Sequence, residues 1–488
     1  MTAEQVAREE RAAVAREEVA SLSACVMAGE LLAEAARQSR AAAHPLRRAW
    51  NEISCPLLEM LHRNDVRQSV LNPDVWGLVG LWRLRAVSSV FRTWVRESLS
   101  TRQLHALGGV EVQRRWSHMT MNSPRMTISS SVRTMGLASL TWEPWRGPSR
   151  GSPLIPLLPT ARYTHTACAT HDGRLVVAGG DAVGENSELG LQPSAETLQL
   201  ELASGEAWST VTASGMHFRR RYAASVALPD GRVAVFGGRV PGTGLGPFSS
   251  WQATREQCYT ATAEVLDADG SSWSLIAPMP GGPRGRAAAA VLPNGMVIVA
   301  GGSSVWDPME QDDEWAEDPH ALASTEIWNP VTNKWIKAPD MEHARSFASG
   351  CMLPSGRFVV LGGLNDEQQN VNCEVFNPVM WSWSELPQKD RPCKKGFWDL
   401  PWSPRALAAC ARPTPQVAPV PGGFVMVGGG ADIPGYPGSI LGLSSANDSD
   451  LLVDDVLYCE ESEMWFVLPN PVMWGGDVSP VVSTSMAV

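Results

Sequence analysis

Lysine is almost missing from this chain. Five of its 488 residues are lysines, all at or after Lys334, while arginine occurs throughout. A GC-rich coding bias accounts for that preference without any function. No run of eighteen apolar residues occurs, which excludes the usual transmembrane helix, so no membrane partner is expected. The first residues, MTAEQVAREERAAVAREE, are charged and lack the apolar core of a secretory signal, and their glutamates argue against a transit peptide. Nine cysteines are scattered with no Cys-x-x-Cys, so neither a disulfide framework nor a zinc site is expected. Walker loops and Gly-x-Gly-x-x-Gly strings are absent. These absences predict a cytoplasmic protein with reduced thiols and no cofactor. The triplet Arg219-Arg220-Arg221 leaves the nucleus open.

The charge that is present is unevenly spread. Residues 1–150 carry 20 arginines against 14 acids, and residues 151–488 carry 20 bases against 37 acids. The larger part is therefore at −17, which repels phosphate backbones and excludes a nucleic-acid partner. Protein partners of basic or mixed charge fit it better.

A double glycine closes a short apolar run five times: RLVVAGG (174–180), RVAVFGG (232–238), MVIVAGG (296–302), RFVVLGG (357–363) and FVMVGGG (424–430). The pairs are Gly179-Gly180, Gly237-Gly238, Gly301-Gly302, Gly362-Gly363 and Gly428-Gly429. A turn dipeptide precedes each run, as in Pro229-Asp230-Gly231 and Pro293-Asn294-Gly295. Ahead of each turn lies a strand of small residues headed by an arginine: Arg162, Arg221, Arg286, Arg345 or Arg405. Small side chains suit the crowded strand nearest a central axis. A residue that recurs in every unit serves the repeat, so these arginines are expected to be structural, with direct binding of a partner as the other reading. Each unit ends on an acid followed by a tryptophan: Glu196 and Trp208, Glu264 and Trp273, Glu326 and Trp335, Glu374 and Trp383, Asp455 and Trp465. The intervening Asn-Pro type turns make this pair a hairpin whose tryptophan packs between neighbouring sheets.

Glycine doublet, acid, tryptophan and arginine in this order resemble the kelch repeat, over about residues 160–470. The resemblance implies an all-β kelch β-propeller and a protein-binding role without catalysis. The tail SPVVSTSMAV (479–488) reads as one more innermost strand, and RMTISSSVRTMGLASLTWEPW (125–145) holds β-prone runs. A sixth blade built from both termini is therefore expected. The domains are expected as 1–116, an α-helical N-terminal region with a helix over 3–43; 117–160, a connector with outer strands of the closing blade; and 161–488, the propeller. Residues 71–99 resemble an F-box motif: a Pro73-Asp74 opening, Leu78, Leu81, Leu84, an R-L-R stretch, Val87, then Ser88-x-x-Phe91-x-x-Trp94. That resemblance implies a Skp1-like adaptor as partner, with Pro73, Leu78, Leu81, Leu84, Val87 and Trp94 in docking or core roles. An ordinary helical hairpin is the other reading of the same residues.

The kelch resemblance extends to copper oxidases of the galactose oxidase type, which need two tyrosines and two histidines. This chain has five tyrosines and no histidine after His343. The Glu-x3-Asp-x3-His iron motif of kelch specifier proteins fails as well, because Leu322 follows Glu314 and Asp318 where histidine is required. No catalytic or metal residue is therefore assigned.

In a four-stranded antiparallel blade the loops joining strands two and three share one face with the crossings between blades. These loops are long here, and long loops on a rigid scaffold usually carry binding. Residues 306–320, WDPMEQDDEWAEDPH, hold seven acids and no base; Trp306, Asp312, Asp313, Glu314 and Trp315 are the binding candidates within it. Residues 388–402 form a basic counterpart with Lys389, Arg391, Lys394, Lys395 and Trp398. The expected function is a protein-interaction scaffold that recruits a partner on this face, as a ubiquitin-ligase subunit or in a cytoskeletal or signalling assembly. An enzyme acting on a small molecule in the channel is the remaining alternative.

Overall fold

Each repeat run becomes one antiparallel sheet in the computed structural model of the chain. The structure describes residues 71–87, 89–100, 102–107, 110–113, 125–128, 132–136, 156–183, 191–202, 207–210, 215–240, 258–304, 320–366, 371–387, 416–427, 456–468 and 479–484. It divides into two units, residues 1–101 and 102–488.

Blade 1 comprises Thr166–Ala169, Arg174–Ala178, Thr197–Glu201 and Ser209–Thr210. Blade 2 comprises Ala224–Ala227, Val233–Phe236, Ala263–Leu266 and Trp273–Ile276. Blade 3 comprises Ala288–Val291, Val297–Ala300, Thr325–Asn329 and Lys334–Ala338. Blade 4 comprises Ser349–Met352, Phe358–Leu361, Glu374–Asn377 and Ser382–Glu385. Blade 5 comprises Gln416–Val420, Gly423–Val427, Val456–Cys459 and Met464–Val467. In all five the strands pair in the order one, two, three, four. The first strand of each blade lies beside the first strand of the next, so the sheets stand radially as a propeller.

Burial explains the composition of each strand. Second strands such as Val297–Ala300 are buried throughout, because both of their faces meet a neighbouring blade. Fourth strands such as Ser382–Glu385 lie at the rim and are largely exposed. The core is accordingly a set of layers between blades. Phe236 and Val265 of blade 2 pack on Val297, Val299 and Trp328 of blade 3, and Val359 and Val375 of blade 4 pack on Phe424 and Tyr458 of blade 5.

The repeat tryptophans tie each layer with a polar tip. Trp273 Nε1 donates to Thr197 Oγ1 of blade 1 at 3.1 Å, Trp335 Nε1 to the Ala277 carbonyl after blade 2 at 2.8 Å, and Trp383 Nε1 to the Pro339 carbonyl after blade 3 at 2.9 Å. In blade 5 the bond passes to Tyr458, whose hydroxyl donates to the Pro387 carbonyl at 2.6 Å. Replacing Trp335 by Phe is expected to keep the packing and lose the hydrogen bond, at a cost of about 1–2 kcal/mol. A melting curve matching that of the unaltered chain would show that the indole N–H contributes nothing.

The six-blade expectation is corrected to five four-stranded blades. As expected of the tail, the C-terminal strand Ser479–Thr484 is an inner strand joined to strands from the N-terminal side, but in a sheet of three strands, with Arg102–Leu107 and Val132–Gly136, and not in a full blade. It touches the first strands of blades 5 and 1. Gly108-Gly109 follows the sheet's middle strand, as a doublet does in the blades, but no acid–tryptophan hairpin follows and the sheet stops at three strands. Its middle strand falls inside residues 1–116, where helix was expected; a β-hairpin of Val110–Gln113 with Arg125–Ile128 follows. The connector expected at 117–160 thus supplies Val132–Gly136 to this sheet, and the helix expected over 3–43 lies outside the described residues.

The described residues of the N-terminal unit form a helical hairpin, α1 (Pro73–Val87) and α2 (Ser89–Ser100). Asn72 caps α1 through Oδ1, which accepts the Asp74 amide at 3.0 Å. Gly77 interrupts α1 at φ 63°, ψ 170°, a backbone region open essentially to glycine alone. Ser98 Oγ donates to the Leu71 carbonyl at 2.6 Å and closes the hairpin. Pro73, Leu78, Leu81, Leu84 and Trp94 are all buried, so they serve as its core. The side chain of Val87 lies outside the described residues. None of the described helices is long and apolar enough to cross a membrane.

Candidate functional site

The glycine doublet, the arginine and the acid prove to be parts of one relay. Arg162, Arg220, Arg284 and Arg345 each stand four residues before a first strand and donate to the carbonyl of the first glycine, Gly179, Gly237, Gly301 and Gly362. Each also pairs with the blade's acid: Glu196, Glu264, Glu326 and Glu374. The carbonyls of Arg220, Arg284 and Arg345 in turn accept the second glycine's amide from the preceding blade, Gly180, Gly238 and Gly302, at 2.8–2.9 Å. Backbone and side chain thus link blade to blade from blade 1 to blade 4. Among the four guanidiniums, Arg220 is the clearest electrostatically: burial drags its pKa down, and the Glu264 carboxylate opposes it.

This assignment corrects the expected repeat arginines. Arg162 and Arg345 hold the buried role as expected, but in blades 2 and 3 it falls to Arg220 and Arg284, not to Arg221 and Arg286. Arg405 lies outside the described residues; Arg412 is the residue four before the first strand of blade 5.

The displaced arginines occupy a different place. One residue after each buried arginine, the chain bridges to the residue that follows the doublet: Tyr163 to Asp181, Arg221 to Arg239, Gly285 to Ser303 and Ser346 to Leu364. Two residues after it stand Thr164, Tyr222, Arg286 and Phe347, with φ of 54°, 56°, 57° and 59°. The Tyr222 amide donates to the Thr164 carbonyl at 3.0 Å and the Arg286 amide to the Tyr222 carbonyl at 2.8 Å, so these residues meet where adjacent blades come closest. A left-handed backbone costs a non-glycine residue about 1–3 kcal/mol. Four blades bear it at one level, on the edge from which the loops between strands two and three leave.

The side chains there form a cationic cluster on aromatic faces. The Arg286 guanidinium lies 3.6 Å from the Phe347 ring centroid and 4.2 Å from that of Tyr222; Arg239 lies 5.5 Å from Tyr259. Arg221 Nη1 binds Asp181 Oδ2 at 2.8 Å. Burial pulls the Arg221 guanidinium down, yet Asp181 outweighs it and holds the pKa above its ordinary value. Arg239 goes the other way: burial lowers it, and Arg221 and Arg286 add repulsion against the help of Tyr259. Tyr163 is held protonated by burial and by the charge of Asp181.

The candidates named from the two loops, Trp306, Asp312, Asp313, Glu314, Trp315, Lys389, Arg391, Lys394, Lys395 and Trp398, lie outside the described residues, as do Gly428, Gly429 and Asp455. The described ends of the acidic loop meet each other: the Ser304 amide donates to the His320 carbonyl at 3.0 Å. The described ends of the blade 2 loop form a short ribbon, Arg239–Val240 with Cys258–Tyr259. Among the described residues no three His, Cys, Asp or Glu side chains gather as metal ligands. Cys168 is buried, and burial raises its thiol to about 11.

A kelch motif model matches residues 283–342, which run from just before Arg284 to the approach to Arg345. An F-box/kelch-repeat protein of Arabidopsis thaliana is 31% identical over 26% of this chain and 33% of its own length. A spermatocyte protein of Caenorhabditis elegans is 27% identical over 48% of this chain and 34% of its own. A galactose oxidase of Gibberella zeae is 26% identical over 19% of this chain and 12% of its own. The chain spans about a third of the length of the first two of these relatives.

Proposed function

We propose that this chain, through the kelch repeats it carries, is a protein-interaction scaffold whose partner binds the propeller edge bearing the loops between strands two and three. The observation that carries this reading is the relay itself. It holds adjacent blades rigidly, while the loops, the strained Thr164, Tyr222, Arg286 and Phe347 backbones and the arginine cluster share one edge. Rigid support with variable loops on one side is the usual design of a recognition surface.

A ligase role is the narrower form of the same proposal. The names of the Arabidopsis relatives favour it, as does a helical hairpin at the segment resembling an F-box. In that reading the hairpin engages a Skp1-like adaptor while the propeller recruits the substrate. The docking surface would then be the exposed side of the helices, including Asp74, Arg92, Arg96 and Glu97, because the apolar positions are consumed in the hairpin core.

One purification tests both levels. Full-length chain, a version with 306–320 replaced by a Gly-Ser linker, and Arg92→Glu/Arg96→Glu are each used for affinity capture with mass spectrometry. Loop replacement is expected to remove the propeller's partner and spare the adaptor, and the arginine pair the reverse. Equal recovery of every protein by all three rejects the loop edge and the hairpin together.

A further inference from the structure

We infer that the outer rim where blades 3 and 4 meet is a self-association surface, through which two copies of this chain form a two-fold dimer. The surface is separate from the loop edge. It shows at two places where these blades depart from the chain's own repeat.

The first is the rim residue that follows the repeat tryptophan. In blades 1, 2 and 4 it is Ser209, Ser274 or Ser384, each exposed; in blade 3 it is Ile336, 46% exposed. In blade 5 it is Phe466, which is buried. Ile336 pairs with Ile327, and Trp383 of blade 4 pairs with Phe376. Residues paired across strands share one face of a sheet. Ile327 and Phe376 belong to the apolar layer between the two blades, so that layer continues through Ile336 and Trp383 to the surface. The same wall of the layers on either side ends on Ser274 and Ser384.

The second is the turn between strands three and four. Two residues before the repeat tryptophan, blades 3, 4 and 5 have a left-handed backbone at Asn333, Trp381 and Glu463, with φ of 52°, 55° and 54°. Asparagine suits that conformation. The Asn333 side-chain oxygen also accepts Trp328 Nε1 at 3.0 Å and the Ala277 amide at 3.1 Å. A tryptophan there is an outlier. Trp381 is 39% exposed, with its ring edge-on to Phe376 at 5.6 Å between centroids. Val379 and Met380 before it, and Val331 in the turn of blade 3, are more exposed still. Large apolar side chains gathered at one seam, one of them on a strained backbone, mark an interface and not a scatter of surface residues.

The flanking charges select a second copy as the occupant. The fourth strand of blade 3 exposes Lys334 and Lys337, and that of blade 4 exposes Glu385. A two-fold axis running radially through the seam exchanges blade 3 of one copy with blade 4 of the other and reverses the strands. Lys334, at the start of one strand, then meets Glu385, at the end of the other, and symmetry makes the pair twice. In that register Ile336 faces Trp383, and the Lys337 ammonium reaches the Trp381 ring. The contact of Lys337 with Asp340 in its own copy, at 3.4 Å, is an exposed pair of little strength. Both strands are outer edges of their sheets among the described residues, so their outward backbone groups also meet antiparallel. Blade 3 against blade 3 would set lysine against lysine, so the charges also fix which edges pair.

The test is sedimentation equilibrium of the full-length chain over a range of concentrations. A monomer–dimer equilibrium is expected. Ile336→Ser with Trp381→Asn installs the residues that other blades carry at these positions, so the fold should be kept, which melting curves check. The dimer dissociation constant should rise about tenfold or more. Lys334→Glu and Glu385→Lys, both at exposed positions, should each weaken the dimer and together restore it. A chain that stays monomeric at every concentration overturns the inference, even if another protein is recovered on the patch. So does a dimer that Ile336→Ser/Trp381→Asn leaves unchanged, or a charge reversal that the second substitution fails to rescue.

Discussion

Replacing Arg345 by Met is expected to destabilise the propeller by about 3–5 kcal/mol, the range for removing one partner of a buried ion pair. The side chain is fully buried, donates to the Gly362 carbonyl at 2.9 Å and pairs with Glu374, itself 2% exposed. Removing the guanidinium leaves that carboxylate buried without its counter-charge. Glu374→Leu should cost at least as much, because Glu374 also accepts the backbone amides of Glu342 at 2.8 Å and His343 at 3.1 Å. The double variant leaves no lone charge but still strands both amides and the Gly362 carbonyl. It should therefore fall short of the sum of the single losses without returning to the stability of the unaltered chain. Denaturation midpoints of the four proteins give the coupling directly. A loss below about 1 kcal/mol for Arg345→Met, the level of an exposed pair, would remove the arginine from the relay. Arg220→Met repeats the experiment in blade 2, where Glu264 receives the His217 and Phe218 amides in the same manner.

Much of this was legible in the chain because each blade repeats its own local code. In blades 1 to 4 the small-residue strand, the turn glycine and the doublet fall where the pattern puts them, since each answers a local constraint of φ, packing or hydrogen bonding; in blade 5 the first strand is Gln416–Val420 and not the run headed by Arg405, and Gly428-Gly429 lie outside the described residues. The arginine register was not legible in two blades. Arg219-Arg220-Arg221 and Arg284-Gly285-Arg286 each offer more than one arginine near the strand, and only the bond to a glycine carbonyl 17 residues on selects among them. Counting that spacing from the doublet would have found Arg220 and Arg284, and with them the two arginines left over for the edge. Arg102–Leu107 was missed for a different reason. Its partner Ser479–Thr484 lies at the other end of the chain, and although that tail reads as an inner strand, the doublet Gly108-Gly109 that closes Arg102–Leu107 lacks the arginine-headed strand and turn dipeptide before it that mark the other units. Asp181 and Arg239 were missed because they follow the doublets at the start of variable loops, where only the three-dimensional bridge to Tyr163 or Arg221 gives them a common position.

Gly237→Ala is expected to cost on the order of 3–5 kcal/mol, at the severe end for a single substitution. Two effects add there. Gly237 has φ 62°, which alone costs an alanine about 1–2 kcal/mol. A Cβ would also be driven into the carbonyl oxygen of Arg284, with Met279 Cε 3.2 Å away on another side. That oxygen cannot retreat freely, because it accepts the Gly238 amide at 2.8 Å, and the Arg284 side chain is bound to Glu326 and to the Ser324 carbonyl. The displacement would therefore pass from blade 2 into the ion pair of blade 3. Gly295→Ala separates the two effects: φ is 81°, but nothing lies within 4 Å of the added carbon. It should lose only the conformational share, about 1–2 kcal/mol. Equal losses at the two positions would mean that the doublet is glycine for its backbone angle alone. An excess at Gly237 would mean that the close approach of the next blade's carbonyl demands it, which is the contact that makes separate sheets a ring.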